Sequence, residues 1–241
     1  MTRNRIKSQA QIAASRLQYF VYFAVAFGVF GLTIISYVID HSLFQKYFGR
    51  LNPLLVVLTI ILLGGMSFVI LQARGWFTIY QRGSLRALPF STGWAGLLAF
   101  VIVLVDYKVI LPKDINVLFP ASLLFYPAMG FVVEILFHLL PLALLLLILT
   151  SISKHLYYSR VIWPCIVLVS FLEPIFQTIA GYSQPYPIWL MGYVGLHIFL
   201  INFVQLSIFK RYDFLSMYVF RLVYYLIWHI VRGYLRLKVL F

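Results

Sequence analysis

Acidic residues and cysteines are scarce in this chain. It holds 6 Asp and Glu among 241 residues, against 19 Lys and Arg, and charged residues make up only 10% of the total. The one cysteine, Cys165, excludes an intrachain disulfide and a CxxC metal motif, so we expect it to be a small apolar residue in a helix. The HExxH motif is absent, which excludes an ordinary zincin. GxxxxGKS/T and GxSxG are absent as well.

Apolar residues are abundant instead. The chain is 63% hydrophobic, with a mean hydropathy of +0.97. A soluble domain of this length cannot hide so much apolar surface, because polar groups must solvate its exterior. Several runs reach the ~20 apolar residues that cross a bilayer core. The predicted fold is therefore all-α: a polytopic transmembrane helical bundle of about seven spans, with six to eight compatible with the pattern.

The predicted spans lie at about 17–39, 53–73, 93–111, 119–150, 161–180, 187–209 and 214–235. The fourth is too long for one perpendicular crossing, so Pro127 and Pro141 are expected to kink or tilt it. Residues 1–16 form a basic cytoplasmic segment, and residues 17–241 form a single transmembrane domain. Residues 72–92 suit either an amphipathic segment at the membrane interface or a plain loop.

The net charge of +13 is better explained by lipid headgroups than by nucleic acid, because most basic residues flank apolar runs. With the N-terminus inside, the inner segments hold eleven Lys and Arg and the outer loops hold four. This asymmetry predicts an integral protein of the plasma (inner) membrane with a cytoplasmic N-terminus. Arg232, Arg236 and Lys238 are the exception, because they fall outside if all spans cross.

Eight polar residues lie well inside predicted spans, where charged groups cost roughly 2.5–3.5 kcal/mol each on the insertion scale. They are Glu134, His138, Glu173, Gln177, His197, Asn202, Arg221 and His229. The pairs Glu134/His138 and Glu173/Gln177 are each four residues apart, so each pair shares one helical face. Such groups are expected to face the bundle interior and to find partners there.

Each of these residues also has a purely structural interpretation. The Glu134/His138 pair can join helices by hydrogen bonds, and Glu173 can be a buried acid paired with Arg221. Arg221 can instead extend to the inner interface, and His229 can belong to an interfacial aromatic belt. The structural interpretation is the favoured one for Gln177, His197 and Asn202. Asp106 and Asp114 lie near a membrane edge and are expected to be solvated.

A buried glutamate beside histidines has two kinds of chemical use. A carboxylate in a dry site holds its proton more tightly, so it can act as a general base near neutral pH and activate water against a peptide carbonyl. Alternatively, the same groups can relay protons or bind a divalent metal.

The order of these motifs resembles the CPBP intramembrane proteases, named for the CAAX proteases and bacteriocin-processing proteins and also called the Abi family. The family carries EExxxR in one span, FxxxH in a later span, and HxxxN or a variant near the last. The likeness covers roughly residues 115–235. In VEILFH, Glu134 takes the place of the second glutamate, while Val133 and His138 replace the first glutamate and the arginine.

The later motifs match in part. The fifth span has SFLEPIFQT in place of FxxxH and offers Glu173 and Gln177. In the last span His229 matches the histidine of the third motif, with Gly233 where the asparagine would stand.

The resemblance implies a glutamic-type intramembrane endopeptidase that cleaves a membrane-anchored or lipidated peptide. Glu134 is then the water-activating base, His138 and His229 orient the water or the oxyanion, and Glu173 is the second acid. The expected binding residues are Gln177, His197, Asn202 and Arg221. No cofactor is expected, with a divalent metal at the Glu/His cluster as the alternative.

A non-catalytic member that keeps the fold, or a transporter-like proton or metal binder, is the competing interpretation. Convergence of Glu134, His138, Glu173 and His229 around an open cavity would favour the enzyme. Acids paired with a buried arginine would favour the non-catalytic protein.

Overall fold

The structure is a computed structural model that describes residues 2–81, 83–109, 111, 116–152, 158–181 and 187–239. Within these ranges the chain forms helices and no strands, which confirms the predicted all-α class. Seven helical stretches are long and apolar enough to cross a membrane: Ser15–Ile39, Pro53–Ala73, Leu88–Lys108, Ser122–Ser151, Ser159–Ile179, Ile188–Arg211 and Phe214–Val239. We call them the first to the seventh span. Asp114, for which the sequence predicts a solvated side chain, lies outside the described residues.

The helices have the following bounds. The α-helices are Thr2–Ile39, Gln45–Phe48, Pro53–Ala73, Leu88–Lys108, Ser122–Val133, Leu140–Ile152, Tyr158–Ser170, Leu172–Gly181, Ile188–Arg211, Phe214–Tyr225 and Gly233–Val239. Short 3-10 helices cover His41–Phe44 and Ser84–Ala87, and π-helical segments cover Glu134–Leu139 and Leu226–Arg232. The third span begins at Leu88 rather than near residue 93, because Pro89 is well suited to the first turn of a helix.

The fourth span changes its winding just before Pro141. Proline has no N–H, so it cannot donate to the carbonyl of Phe137 one turn earlier. The N–H of Leu140 instead donates to the carbonyl of Ile135, five residues back, and Glu134–Leu139 is wound as a π-helix. The prediction of a disturbance at Pro141 therefore takes the form of a widened turn, and this turn carries both Glu134 and His138.

The fifth span is interrupted at Phe171, between helices Tyr158–Ser170 and Leu172–Gly181. Pro174 lies four residues after Ser170 and cannot donate to its carbonyl. The side-chain amide of Asn202 donates to that carbonyl instead, at 3.3 Å. A proline in one span is thus compensated by an asparagine in the next, since a backbone group inside a membrane needs a partner.

The first, second and fourth spans pack closely at Gly64. The hydroxyl of Tyr22 donates to the carbonyl of Ile61 at 2.5 Å. A Cβ atom on Gly64 would meet the Tyr22 hydroxyl and would lie 2.7 Å from Cδ1 of Ile135. A side chain at position 64 would therefore force Tyr22 or Ile135, which belongs to the π-helical segment of the fourth span, to shift.

Hydrogen bonds between distant segments define one end of the bundle, which we call the N-terminal face. Gln18 accepts there from the backbone N–H groups of Ile79 and Tyr80 at 2.7 and 2.8 Å. The N–H of Phe214 donates to the carbonyl of Thr78 there, so the first, second and seventh spans meet. Hydrogen bonds therefore hold the segment 76–81 against the bundle.

Candidate functional site

A buried ionic core joins the fourth, fifth and seventh spans. Arg221 lies at its centre: its Nε donates to Oε1 of Glu134 at 2.8 Å, and its Nη2 donates to Oε2 of Glu173 at 3.2 Å. All three side chains are almost fully enclosed, with at most 3% of each residue exposed. The pairing of Glu173 with Arg221, one of the two alternatives drawn from the sequence, is present.

Arg221 does not extend to the interface, contrary to one expectation from the sequence. Gly130, one turn before Glu134, explains why. A Cβ atom at Gly130 would lie 3.3 Å from Cγ of Arg221 and 3.3 Å from Cε2 of Tyr225. The missing side chain lets the seventh span approach the fourth, and the guanidinium turns inward to the two carboxylates.

Glu134 is buried away from solvent, and three side chains bind its carboxylate: Arg221, His138 and Gln205. His138 contacts Oε2 of Glu134 through Nδ1 at 2.9 Å, as the four-residue spacing predicts. Gln205 donates through Nε2 to the same oxygen, Oε1, that Arg221 binds. Sequence reasoning missed Gln205, although its position three residues after Asn202 places the two on one face of the sixth span.

Glu173 is also hydrogen-bonded within its own span, and its partner Arg221 contacts the sixth span. Gln177 donates to Oε1 of Glu173 at 2.9 Å. Asn202 accepts from Nη2 of Arg221 at 3.5 Å while its amide nitrogen serves the Ser170 carbonyl. Gln177 and Asn202 therefore fix the acids and the backbone in place, which is the structural role favoured for them from the sequence.

One nitrogen in the core has no hydrogen-bond partner among the residues that the structure describes. Nε2 of His138 is buried and unbonded, and it lies 3.9 Å from Oε2 of Glu173. Two carboxylates face one guanidinium, so the cluster carries one negative charge unless it also holds a proton. The imidazole of His138 stands between the two carboxylates.

His197 lies apart from the acids. Its Nε2 is 3.1 Å from the hydroxyl of Tyr224, and its ring stacks on Tyr193 with centroids 5.7 Å apart. These aromatic contacts agree with the structural role favoured for this residue.

His229 lies among aromatic side chains, and one of them, Tyr225, also contacts Arg221. Its ring stacks on Tyr126 with centroids 4.5 Å apart, and Nδ1 is 3.4 Å from the amide nitrogen of Asn116. Of the four residues expected to act together, the structure thus brings together Glu134, His138 and Glu173. A Cβ atom at Gly233 would lie 2.8 Å from the Asn116 amide, so Asn116 occupies the space that a side chain at 233 would need.

Asp106 is fully buried, so the expectation of a solvated side chain is wrong. Nη2 of Arg232 donates to Oδ2 of Asp106 at 2.9 Å, and Nε of Arg236 donates to Oδ1 at 2.9 Å. The sequence did not reveal this pairing of Asp106 across 126 and 130 residues of chain. Arg232 and Arg236 are consequently bound within the protein and are not free surface charges.

The polar groups of the core differ from a metal-binding set. In the part of the chain that the structure describes, no three His, Cys, Asp or Glu side chains are grouped as metal ligands. Glu134 and Glu173 already bind Arg221, and a guanidinium repels a cation. The described residues of this core do not fit a divalent metal.

Fold and site together define a polytopic α-helical membrane protein with a charged core shared by four spans. No family model, no curated protein and no solved structure matches the chain.

Proposed function

We propose that this chain is a non-catalytic integral membrane protein of the proton-coupled, transporter-like kind, whose core binds and releases one proton. The observation that carries the proposal is the enclosure of Glu134, Glu173 and His138 around the single guanidinium of Arg221. Buried ionisable groups in a membrane are costly, and they mark proton or ion pathways. Here both acids are held by an arginine, which stabilises them as charges and makes a proton on His138 the variable element.

Two contacts of His138 support this assignment. A protonated His138 donates from Nδ1 to Glu134. Its Nε2–H then points toward Oε2 of Glu173, which lies 3.9 Å from Nε2 in the structure. Loss of the proton removes the attraction to Glu173. The imidazole lies in a π-helical segment, and such segments occur frequently at functional sites. Proton binding therefore changes the interaction between the fourth and fifth spans.

Proton uptake tests the proposal. Purified protein in detergent is shifted from pH 8 to pH 5, and an indicator dye counts the protons taken up. His138→Gln is expected to take up about one proton fewer than the wild type, because one titratable site is removed. His197→Gln, a buried histidine among aromatic rings, is the matched control for the loss of a histidine. Equal proton counts for wild type and His138→Gln would overturn the proposal.

A second candidate, an intramembrane peptidase of the CPBP type, is favoured by the unbonded Nε2 of His138. A carboxylate that orients one imidazole nitrogen leaves the other as a general base. Nε2 would take a proton from water as the water oxygen adds to a peptide carbonyl, and would return it to the departing amine. Glu134 would then position His138 instead of activating water itself, since Arg221 and Gln205 occupy its other oxygen.

Cleavage of a lipidated, fluorogenic peptide separates the two candidates. The peptidase requires turnover by wild-type protein and its loss in both His138→Gln and Glu134→Gln. The proton-binding protein predicts no turnover above that of empty micelles, while the proton count still changes with His138.

We also propose that the N-terminal face is cytoplasmic and that the protein lies in the plasma (inner) membrane. Exposed basic side chains at the ends of the spans support this orientation: Arg16, Arg74, Arg86, Arg160 and Arg211. Two of the three basic residues near the C-terminus, Arg232 and Arg236, are paired with Asp106. Lys238 is the third, and it is not paired with Asp106 in the described part of the chain. A C-terminal reporter enzyme that is active only outside the cell should be active; an inactive but expressed fusion would contradict the orientation.

A further inference from the structure

The N-terminal face carries an apolar notch with an arginine at its rim. The notch follows one stripe of the third span and is lined by Pro89, Phe90, Gly93, Trp94 and Leu97. Gly93 contributes no side chain, and a Cβ atom there would meet nothing within 4 Å. The stripe from Pro89 to Leu97 runs about 12 Å along the helix at 1.5 Å per residue, from the helix start into the span.

Arg211 is held at the membrane-surface end of this notch. Its guanidinium lies 5.7 Å from the ring centre of Phe90 and 5.4 Å from that of Tyr212, within cation–π range. Phe90 in turn packs on Tyr212 and Trp94, with centroids 6.3 Å apart in both cases. The positive charge is therefore fixed above the notch, while the side chain remains exposed.

The protein provides little counter-charge for Arg211. The chain has only six acidic residues. Asp106, Glu134 and Glu173 are buried in ion pairs, and Asp40 lies at the far end of the first span. Asp213 is close in sequence, but it is buried and accepts from the N–H groups of Ser216 and Gln81. Within the described residues, no carboxylate forms an ion pair with Arg211.

We propose that this notch binds one anionic phospholipid, with the phosphate at Arg211 and an acyl chain along Gly93. Charge complementarity selects an anionic headgroup, and the apolar stripe accepts a hydrocarbon chain lying along the span. The exposed Arg86, in the short helix before the third span, adds positive charge on the same side. This inference does not depend on the function proposed for the buried core.

Native mass spectrometry of the full chain tests the site. Detergent-purified protein is mixed with phosphatidylglycerol or with phosphatidylcholine, and retained lipid is counted. Wild type is expected to retain one phosphatidylglycerol in preference to phosphatidylcholine. Arg211→Ala should weaken this retention about fivefold, as expected for one basic side chain at an anionic surface, and Arg211→Lys should keep most of it.

Two further variants make the test specific. Arg74→Ala is the matched control, because Arg74 is an exposed arginine stacked 5.5 Å from the Trp76 ring but does not line the notch. Gly93→Leu fills the notch and should lower phosphatidylglycerol retention with Arg211 intact. Unchanged retention in Arg211→Ala or in Gly93→Leu would overturn the proposal, and so would an equal loss in Arg74→Ala.

Discussion

At the scale of single residues, the molecule is organised by two buried ionic clusters, one centred on Arg221 and the other on Asp106. Arg221 holds two carboxylates in one, and Asp106 holds two arginines in the other. A buried ion pair adds little net stability when it is complete, because desolvation offsets attraction, but removing one partner leaves an unpaired charge. This asymmetry leads to a prediction for each cluster.

Arg221→Ala is expected to lower the free energy of unfolding by about 3–5 kcal/mol, because Glu134 and Glu173 are left buried without a cation. Adding Glu134→Gln and Glu173→Gln should recover much of the loss, since no buried charge then remains. Thermal unfolding in detergent measures both effects. Lys210→Ala, which removes a cation from the membrane surface, is the control. A triple variant no more stable than Arg221→Ala would contradict this account.

Asp106→Asn should also cost about 3–5 kcal/mol, because it removes the carboxylate that neutralises Arg232 and Arg236. Asp40→Asn is the matched control: Asp40 is exposed, and asparagine is as good a helix cap as aspartate. Hydrogen bonds from Ser42 hold the pKa of Asp40 below its usual range, but this exposed carboxyl balances no buried charge. Equal melting temperatures for the two variants would show that the Asp106 cluster is not needed.

At the scale of the helices, prolines and glycines decide how the spans meet. Pro174 leaves the Ser170 carbonyl without a backbone donor, Asn202 supplies a donor from the neighbouring span, and Gly64 permits a close approach of Tyr22 and Ile135. In each case the role of one residue depends on a neighbour, and substitutions at these positions measure that dependence.

Asn202→Ala should cost about 1 kcal/mol, typical of a hydrogen bond between membrane helices, because the Ser170 carbonyl loses its donor. In a Pro174→Ala background residue 174 regains an N–H and can serve that carbonyl, so the cost should fall. A double-mutant cycle on thermal stability measures the coupling. Strictly additive effects would mean that the amide and the proline are independent.

Gly64→Ala should destabilise the bundle by about 1–3 kcal/mol, the usual cost of overpacking, because the added methyl group meets Tyr22 and Ile135. Gly28→Ala is the control, since its Cβ would have open space and alanine is the better helix former. The reverse order of stabilities would show that the first, second and fourth spans do not cross closely at Gly64.

At the scale of the whole molecule, much of the fold was predictable because hydrophobic length determines membrane spans directly. Seven spans, the pairing of Glu134 with His138 and the alternative pairing of Glu173 with Arg221 all follow from spacing and burial cost. Contacts between distant segments do not. Gln205 at Glu134 and the arginines at Asp106 depend on which helix faces are neighbours, and periodicity within one helix does not specify that.

The placement of His229 shows the same limit. Its position near the end of the last span was clear from the sequence, but its neighbours Tyr126 and Asn116 come from the start of the fourth span and the segment before it. The resemblance to a protease motif assigned it to the Glu134 site. In the structure its ring packs on Tyr126 and Tyr225, whereas His138 lies directly between Glu134 and Glu173, so the proposed function rests on His138.

The central claim is that His138 holds a proton between Glu134 and Glu173. Nitrogen NMR on protein labelled with ¹⁵N-histidine measures this most directly, with the His138 signals assigned by their loss in His138→Gln. The account predicts that both ring nitrogens of His138 carry protons at low pH and that one proton leaves reversibly as the pH rises. A single neutral tautomer of His138 across the whole range in which the protein stays folded would contradict it.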